Sequence, residues 1–307
     1  MFSDRIPYQL CMRYSKVNHL FSLIDASPIQ PVYSDEYNYN GVSLEIKRDD
    51  LIHPILSGNK WRKLKYLLLA IEAKGYRKIA SMGGRYSNFL HSLAYICNLL
   101  DWECEFFVRG YEQQALTPTL TDCLNWGAKI SFVDRNHYRE LREIKTHSPS
   151  DCFWIPEGGL DRSSILGLKE VFMDLTQDYD YLVMASATGT SIAGLSLAAF
   201  QLKLDTKIVG ISVLDNYSAQ IENINYLTNS VCQNWDLISG YEFSGFAKSC
   251  DELDCFISDY YKEYHIPLEP VYSGKSFYAV NQLIRNNYFK TNSKILLLHC
   301  GGLQGKR

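Results

Sequence analysis

The stretch SGNKWRK, residues 57–63, crowds Lys60, Arg62 and Lys63 into what reads as the first turn of a helix. A helix N-terminus carries partial positive charge and disfavours cations unless an anion is bound nearby. A lysine amine can also condense with an aldehyde, and burial lowers its pKa towards neutrality. A second stretch, ASATGTSIAG at 185–194, reads as a strand, a loop of small hydroxylated residues and a helix. Backbone N–H groups there, with the hydroxyls of Thr188, Thr190 and Ser191, suit a phosphate. It is not a Walker A loop, because Leu195 rather than lysine follows Gly194, and it is not G-x-G-x-x-G. Taken alone, it is equally a plain strand-to-helix turn with Ser191 as N-cap.

Other stretches say less by themselves. GGRYSNF places Ser87 at a helix start, where capping explains a hydroxyl without any chemistry, and it does not match the G-x-S-x-G elbow. PVYSGKS frames Tyr272 and Ser273 between Pro270 and Gly274, which a surface turn explains. In LHCGG, Cys300 as a nucleophile would need a base and a positive environment, and His299 should point to the opposite strand face. A reactive lysine together with a phosphate cradle suggests an aldehyde-phosphate cofactor, pyridoxal phosphate.

From Ser57 onward, strand and helix patterns alternate. Trp61, Leu64, Leu67, Leu68 and Ile71 recur at helical spacing, and Gly75 stops the run. SNFLHSLAYICNLL is a second helix, a third is expected over about Gln113–Trp126, and YRELREIK is a fourth. RKIASMGG, ECEFFVRG, AKISFVD and CFWIPEGG read as strands, and a helix is expected through Leu168–Leu175. DYLVMASATGT is a strand leading into the SIAGLSLAAFQL helix. TKIVGISVL and SKILLLHCGG are nearly unbroken apolar runs, as strands buried on both faces are. This alternation implies parallel sheets covered by helices, with the site beyond the carboxyl ends of the strands. Four strands end in glycine-bearing loops, so a shared cleft is expected there.

Composition excludes other classes. A net charge of −3 and the lack of a basic cluster give nucleic acid no footing. No apolar run reaches the roughly 18 residues that span a bilayer, and the N-terminus lacks the apolar core of a signal peptide. Nine cysteines without a C-x-x-C pair suit a reducing cytoplasm, and the histidines show no metal-ligand spacing, so no metal is expected.

In order along the chain, SGNKWRKLKY, GGRYSN, PEGG, the loop before AGL, PVYSGKS and HCGGLQG resemble the fold-type II pyridoxal-phosphate enzymes. The resemblance is to the 1-aminocyclopropane-1-carboxylate deaminase and D-cysteine desulfhydrase family, and it runs from about Leu44 to Gln304. It implies two parallel-sheet α/β domains: a large cofactor domain from 1–60 and 157–307, and a small one over 61–156. It implies a homodimer. It also implies that Lys60 holds the cofactor aldehyde and that Lys63 reaches its phosphate, so that the cations face a bound anion. Thr188, Gly189, Thr190 and Ser191 would form the phosphate loop, and Asn88 would meet the cofactor's 3'-oxygen. Ser87 would hold the substrate carboxylate or assist proton transfer, with Asn88 and Tyr86 beside the substrate. Tyr272 would lie near the ring.

Several positions depart from the family pattern. Tyr86 replaces a glutamine, and Phe89 stands where histidine is common. Ala187 and Thr190 replace glycines, and a β-branched Thr190 would resist a positive φ. Phe246 replaces a tyrosine assigned a catalytic role. Ser273 stands where the deaminases place a glutamate, and Cys300 where desulfhydrase-like members place a threonine. Neither Ser273 nor Cys300 can hold a proton on the ring nitrogen as a carboxylate does. The expected activity is therefore a PLP-dependent lyase with Lys60 as the base, most simply α,β-elimination from a D-cysteine-like amino acid to pyruvate, ammonia and sulfide. The alternatives are 1-aminocyclopropane-1-carboxylate deamination and cofactor binding with little turnover.

Overall fold

A computed structural model describes residues 15–38, 41–144, 151–245 and 247–306. Among these residues, ten strands form two sheets: β1 (Ile29–Val32), β2 (Ser43–Lys47), β3 (Lys78–Gly83), β4 (Glu103–Arg109), β5 (Lys129–Val133), β6 (Phe153–Ile155), β7 (Tyr181–Ser186), β8 (Lys207–Ser212), β9 (Trp235–Ile238) and β10 (Lys294–Leu298). The larger sheet has the order β1-β2-β10-β7-β8-β9 and the smaller β5-β4-β3-β6. Every pair is parallel except β1 with β2. The chain is α/β, as the alternation of patterns implies.

The apolar strands are buried for the reason their composition gives. Leu182, Met184, Leu296 and Leu298 pack in a cluster on one face of the larger sheet. Their neighbours Tyr181, Val183, Ile295 and Leu297 pack in another on the opposite face. Alternate residues of one strand thus serve two cores. A third core lies against the smaller sheet and includes Trp61, Leu64, Leu67 and Leu68 of the Asn59–Ala73 helix. Val17 and Leu20 join that core, so the Lys16–Phe21 helix packs with the smaller sheet although the sequence groups it with the large domain.

Two expected helices change shape. The Gln113–Trp126 helix begins only at Pro118, where Thr117 Oγ1 accepts from Leu120 N, and it ends at Asn125. Proline suits the first helical position and disfavours helix before it, which explains the late start. Leu168–Leu175 is a 3₁₀ turn at Gly167–Lys169 followed by a short helix, Glu170–Met173.

The cations at the start of the Asn59–Ala73 helix go to different places. Buried Arg62 bonds Asp49 at 2.7 and 3.0 Å and Asp174 at 3.0 Å, and Lys65 bonds Glu170 at 2.6 Å. Burial opposes the Arg62 charge, but Asp49 and Asp174 outweigh it and raise the pKa. The expectation that the crowded cations face one anion is therefore corrected for Arg62, which is neutralised by carboxylates inside the fold.

Candidate active site

The loops after β3, β6, β7 and β10 open on a single cavity of about 800 Å³. Gly84–Ser87 enter from the smaller sheet, with Asn88 and Phe89 at the start of the next helix. Glu157 and Gly158 follow β6, Ala187–Gly189 follow β7, and Cys300 follows β10. Lys60 and Lys63 face the cavity from consecutive turns of their helix, and Tyr272 faces it from another wall.

Lys60 Nζ bonds Asn59 Oδ1 and lies 5.6 Å from the centre of the Tyr272 ring. Burial lowers the Lys60 pKa, against the raising influence of Cys300 and Glu269. Lys63 Nζ donates to Gly158 O at 2.8 Å, and its pKa is lowered to about 7, by burial first and by the Lys60 charge second. Burial raises the Tyr272 phenol, with help from Glu269 and Glu157, so it keeps its proton. Burial also pushes the Cys300 thiol up to about 11, and its Sγ lies 3.5 Å from Leu298 O. A protonated, buried thiol is a poor nucleophile. His299 turns to the other face, 2.8 Å from Pro267 O, and burial lowers its pKa.

Ser87 both caps a helix and lines the cavity. Its Oγ accepts from Leu90 N at 3.3 Å at the start of the Asn88–Leu100 helix. Asn88 Oδ1 accepts from Gln304, while the Nδ2 donor is buried without a partner among the described residues. An unmade buried hydrogen bond costs about 1–3 kcal/mol, so this donor calls for an acceptor in the cavity. In the hydroxylated loop, Thr188, Gly189 and Ser191 line the cavity, and Ser191 Oγ accepts from Asn59 at 2.7 Å.

Two expected contacts are corrected. The Thr190 side chain is fully buried and does not line the cavity; its hydroxyl lies 3.0 Å from that of Thr188. The positive φ falls on Gly189 (80°), and Thr190 begins the helix, so its branched side chain meets no strain. Ser273 is also outside the lining. Its Oγ accepts from Glu269 N at 2.9 Å and lies 3.1 Å from Glu269 Oε1. Fully buried Glu269 is itself engaged by the N–H groups of Val271, Tyr272 and Ser273 at 2.6–2.9 Å. Phe246 lies outside the described residues. Tyr86 lines the cavity.

The lining also includes residues to which the sequence assigned no role: Asn59, Gln114, Glu157, Asp215, Lys248 and several arginines. Glu157 accepts from Tyr138 Oη at 2.7 Å and pairs with Arg142 at 2.8 Å. The helical spacing of Tyr138 and Arg142 was the available signal.

The pyridoxal-phosphate dependent enzyme model matches residues 23–301. The chain belongs to this family. The chain is 27% identical over 295 residues to a Thermotoga maritima protein named provisionally as a 1-aminocyclopropane-1-carboxylate deaminase, covering 89% of this chain and 91% of the other. It is 26% identical over 295 residues to the mitochondrial bifunctional D-cysteine desulfhydrase/1-aminocyclopropane-1-carboxylate deaminase of Arabidopsis thaliana, covering 87% and 74% respectively. A crystal structure of an ACC deaminase homologue superposes with a TM-score of 0.76 at 27% identity, over 95% of this chain and 96% of that one. Like its relatives, this family member depends on pyridoxal phosphate. The cavity suits that group chemically: it offers buried amines for an aldehyde and a phosphate, hydroxyls at a helix start, and an orphaned amide donor for a ring oxygen.

The Lys63 pKa yields a test of phosphate recognition. An anion held by Lys63 would raise a pKa that now lies at about 7. Below pH 7 the ammonium is already formed, so binding takes up no proton. Above pH 7 binding must protonate Lys63, and affinity falls by up to about tenfold per pH unit until the raised pKa is passed. We expect calorimetric titration of cofactor-free protein with sulfate, which does not titrate in this range, to show that fall. Lys63→Arg, always charged, should flatten it.

Proposed function

We propose that the chain is a pyridoxal-phosphate dependent lyase acting on a small β-substituted amino acid, by α,β-elimination of the D-cysteine desulfhydrase type. Pyridoxal phosphate supplies the electron sink for the bond broken at the α carbon. Lys60 is the residue we assign to its aldehyde. Lys63, Thr188, Gly189 and Ser191 would hold the phosphate, and Asn88 Nδ2 the ring oxygen. Burial lowers the Lys60 pKa, which favours its amine as the base for the α proton. Ser87 Oγ, at a helix N-terminus, would bind the substrate carboxylate. Tyr272, protonated, would orient the substrate and can donate from its Oη.

The observation that carries the choice of elimination is Cys300. It lines the cavity as a neutral thiol, while the nearby carboxylate Glu269 is turned onto its own backbone. Cys300 cannot hold a proton on the ring nitrogen as a carboxylate can. That favours a substrate with a good leaving group over a cyclopropane, which has none. A reducing cytoplasmic setting and a homodimer belong to the same reading; eight cysteines among the described residues are free thiols.

The test is keto-acid release: pyruvate from D-cysteine and β-chloro-D-alanine, and 2-oxobutanoate from 1-aminocyclopropane-1-carboxylate. We expect release from the first two. Release from the cyclopropyl acid alone would overturn the proposal.

A further inference from the structure

The cavity carries more positive charge than a phosphate and one carboxylate use. Among the described residues, eight basic and two acidic side chains line it, in a chain of net charge −3. Five of the basic groups are arginines from the smaller sheet's side. Arg85 follows β3, Arg109 ends β4, and Arg135, Arg139 and Arg142 come from the Arg135–Glu143 helix. Their spacing places those three on one helix face. Glu140 and Glu143 of the same helix do not line the cavity, so its charges are sorted by sign.

Partners are also unevenly shared. Arg142 has Glu157, and Arg85 has Gln114 Oε1 at 2.9 Å with its guanidinium 5.7 Å from the Phe132 ring centre. Arg109, Arg135 and Arg139 have no carboxylate partner among the described residues. A single exposed arginine is usually solvated and worth little. Here several from three separate elements converge on one concavity, where like charges focus the potential and repel one another until an anion enters. Arg135 also sits in the first turn of its helix, where a cation is disfavoured. Glu157 joins this rim to the reacting end, because its charge is felt at Tyr272, whose ring faces Lys60.

We infer that the substrate carries a second anionic group beyond its β carbon, a carboxylate, sulfonate or phosphate held by this arginine rim. The inference rests on the lyase reading and narrows it. For a phosphate leaving group the balance is complete. The α proton passes to Lys60 Nζ, a Cα=Cβ bond forms, and the Cβ–O bond breaks with its electron pair leaving on phosphate. Water then hydrolyses the released 2-aminoacrylate to pyruvate and ammonia, and nothing is oxidised or reduced. Bidentate guanidinium contacts would hold the departing anion.

The test compares ligands that differ by one charge. Holoenzyme is titrated calorimetrically with D- and L-aspartate against D- and L-asparagine, which lack a leaving group. We expect the acid to bind about tenfold or more tightly at low salt, and the advantage to shrink at high ionic strength. In Arg135→Gln/Arg139→Gln the ratio should fall to within about twofold. Arg77→Gln, an exposed arginine outside the cavity, should keep it. Pyruvate release from O-phosphoserine should likewise exceed release from O-acetylserine, and this arm separates phosphate from carboxylate recognition. Equal affinity for acid and amide at low salt overturns the inference even if β-chloroalanine is turned over. Preference for the acid with no elimination from any β-substituted amino acid overturns the lyase reading instead.

Discussion

Lys60→Ala should abolish pyruvate formation, by at least about 10⁴-fold, and with it the visible absorbance of lysine-bound cofactor between roughly 400 and 430 nm. The size of the effect follows from two tasks falling on one atom. Nζ of Lys60 is assigned both to anchoring the aldehyde and to taking the α proton. The cavity offers one other amine from this helix, Lys63, and it is committed to Gly158 O at 2.8 Å. Nor can Tyr272 or Cys300 replace the base, because burial keeps both protonated near neutral pH. Lys63→Ala should behave differently, keeping the absorbance at saturating cofactor while weakening cofactor affinity. Borohydride reduction followed by peptide mapping separates the cases. Cofactor fixed to Lys63, or undiminished fixation in Lys60→Ala, would overturn the assignment.

The parts of this molecule that could be read from sequence are those in which neighbouring residues face the same demand. β7, β8 and β10 are buried on both faces, so their apolar runs are unbroken and unmistakable. β1 carries Pro31 at a sheet edge, β2 alternates polar with apolar residues, and β9 is a four-residue edge strand; none stands out from its surroundings. The glycine-bearing loops converge because parallel strands deliver their carboxyl ends to one side. Direction within a motif was less legible. Tyr272 and Ser273 are adjacent, yet Tyr272 sits outside helical geometry and faces the cavity, while Ser273 begins the helix and turns back to Glu269. A motif names both residues and cannot say which way each points. The arginine rim was invisible for a different reason. Arg85, Arg109 and the Arg135–Glu143 helix are separated in sequence, and a basic helix face reads as solvated surface until the fold brings three such elements together.

Gly58→Ala should cost at least about 4 kcal/mol of stability, or prevent folding, and should take cofactor retention with it. Gly58 holds φ +72° and ψ −162°, a region open in practice to glycine alone. A Cβ placed there would lie 1.8 Å from Cys300 O and 2.2 Å from Cys300 C. Those atoms are backbone at the end of β10, so no side chain can swing aside. Relief requires the start of the Asn59–Ala73 helix to move away from Cys300, and Lys60 and Lys63 move with it. Gly75 provides the control. It has φ +82° but nothing within 4 Å of its Cβ position. Gly75→Ala therefore meets backbone strain without collision and should cost only about 1–2 kcal/mol. Denaturant unfolding of both variants, with bound cofactor followed by absorbance, measures the difference. Equal and small losses would mean that Gly58, at the start of the Lys60 helix, is not pressed against Cys300. The close approach that sets the amine beside the cavity's thiol would then be absent.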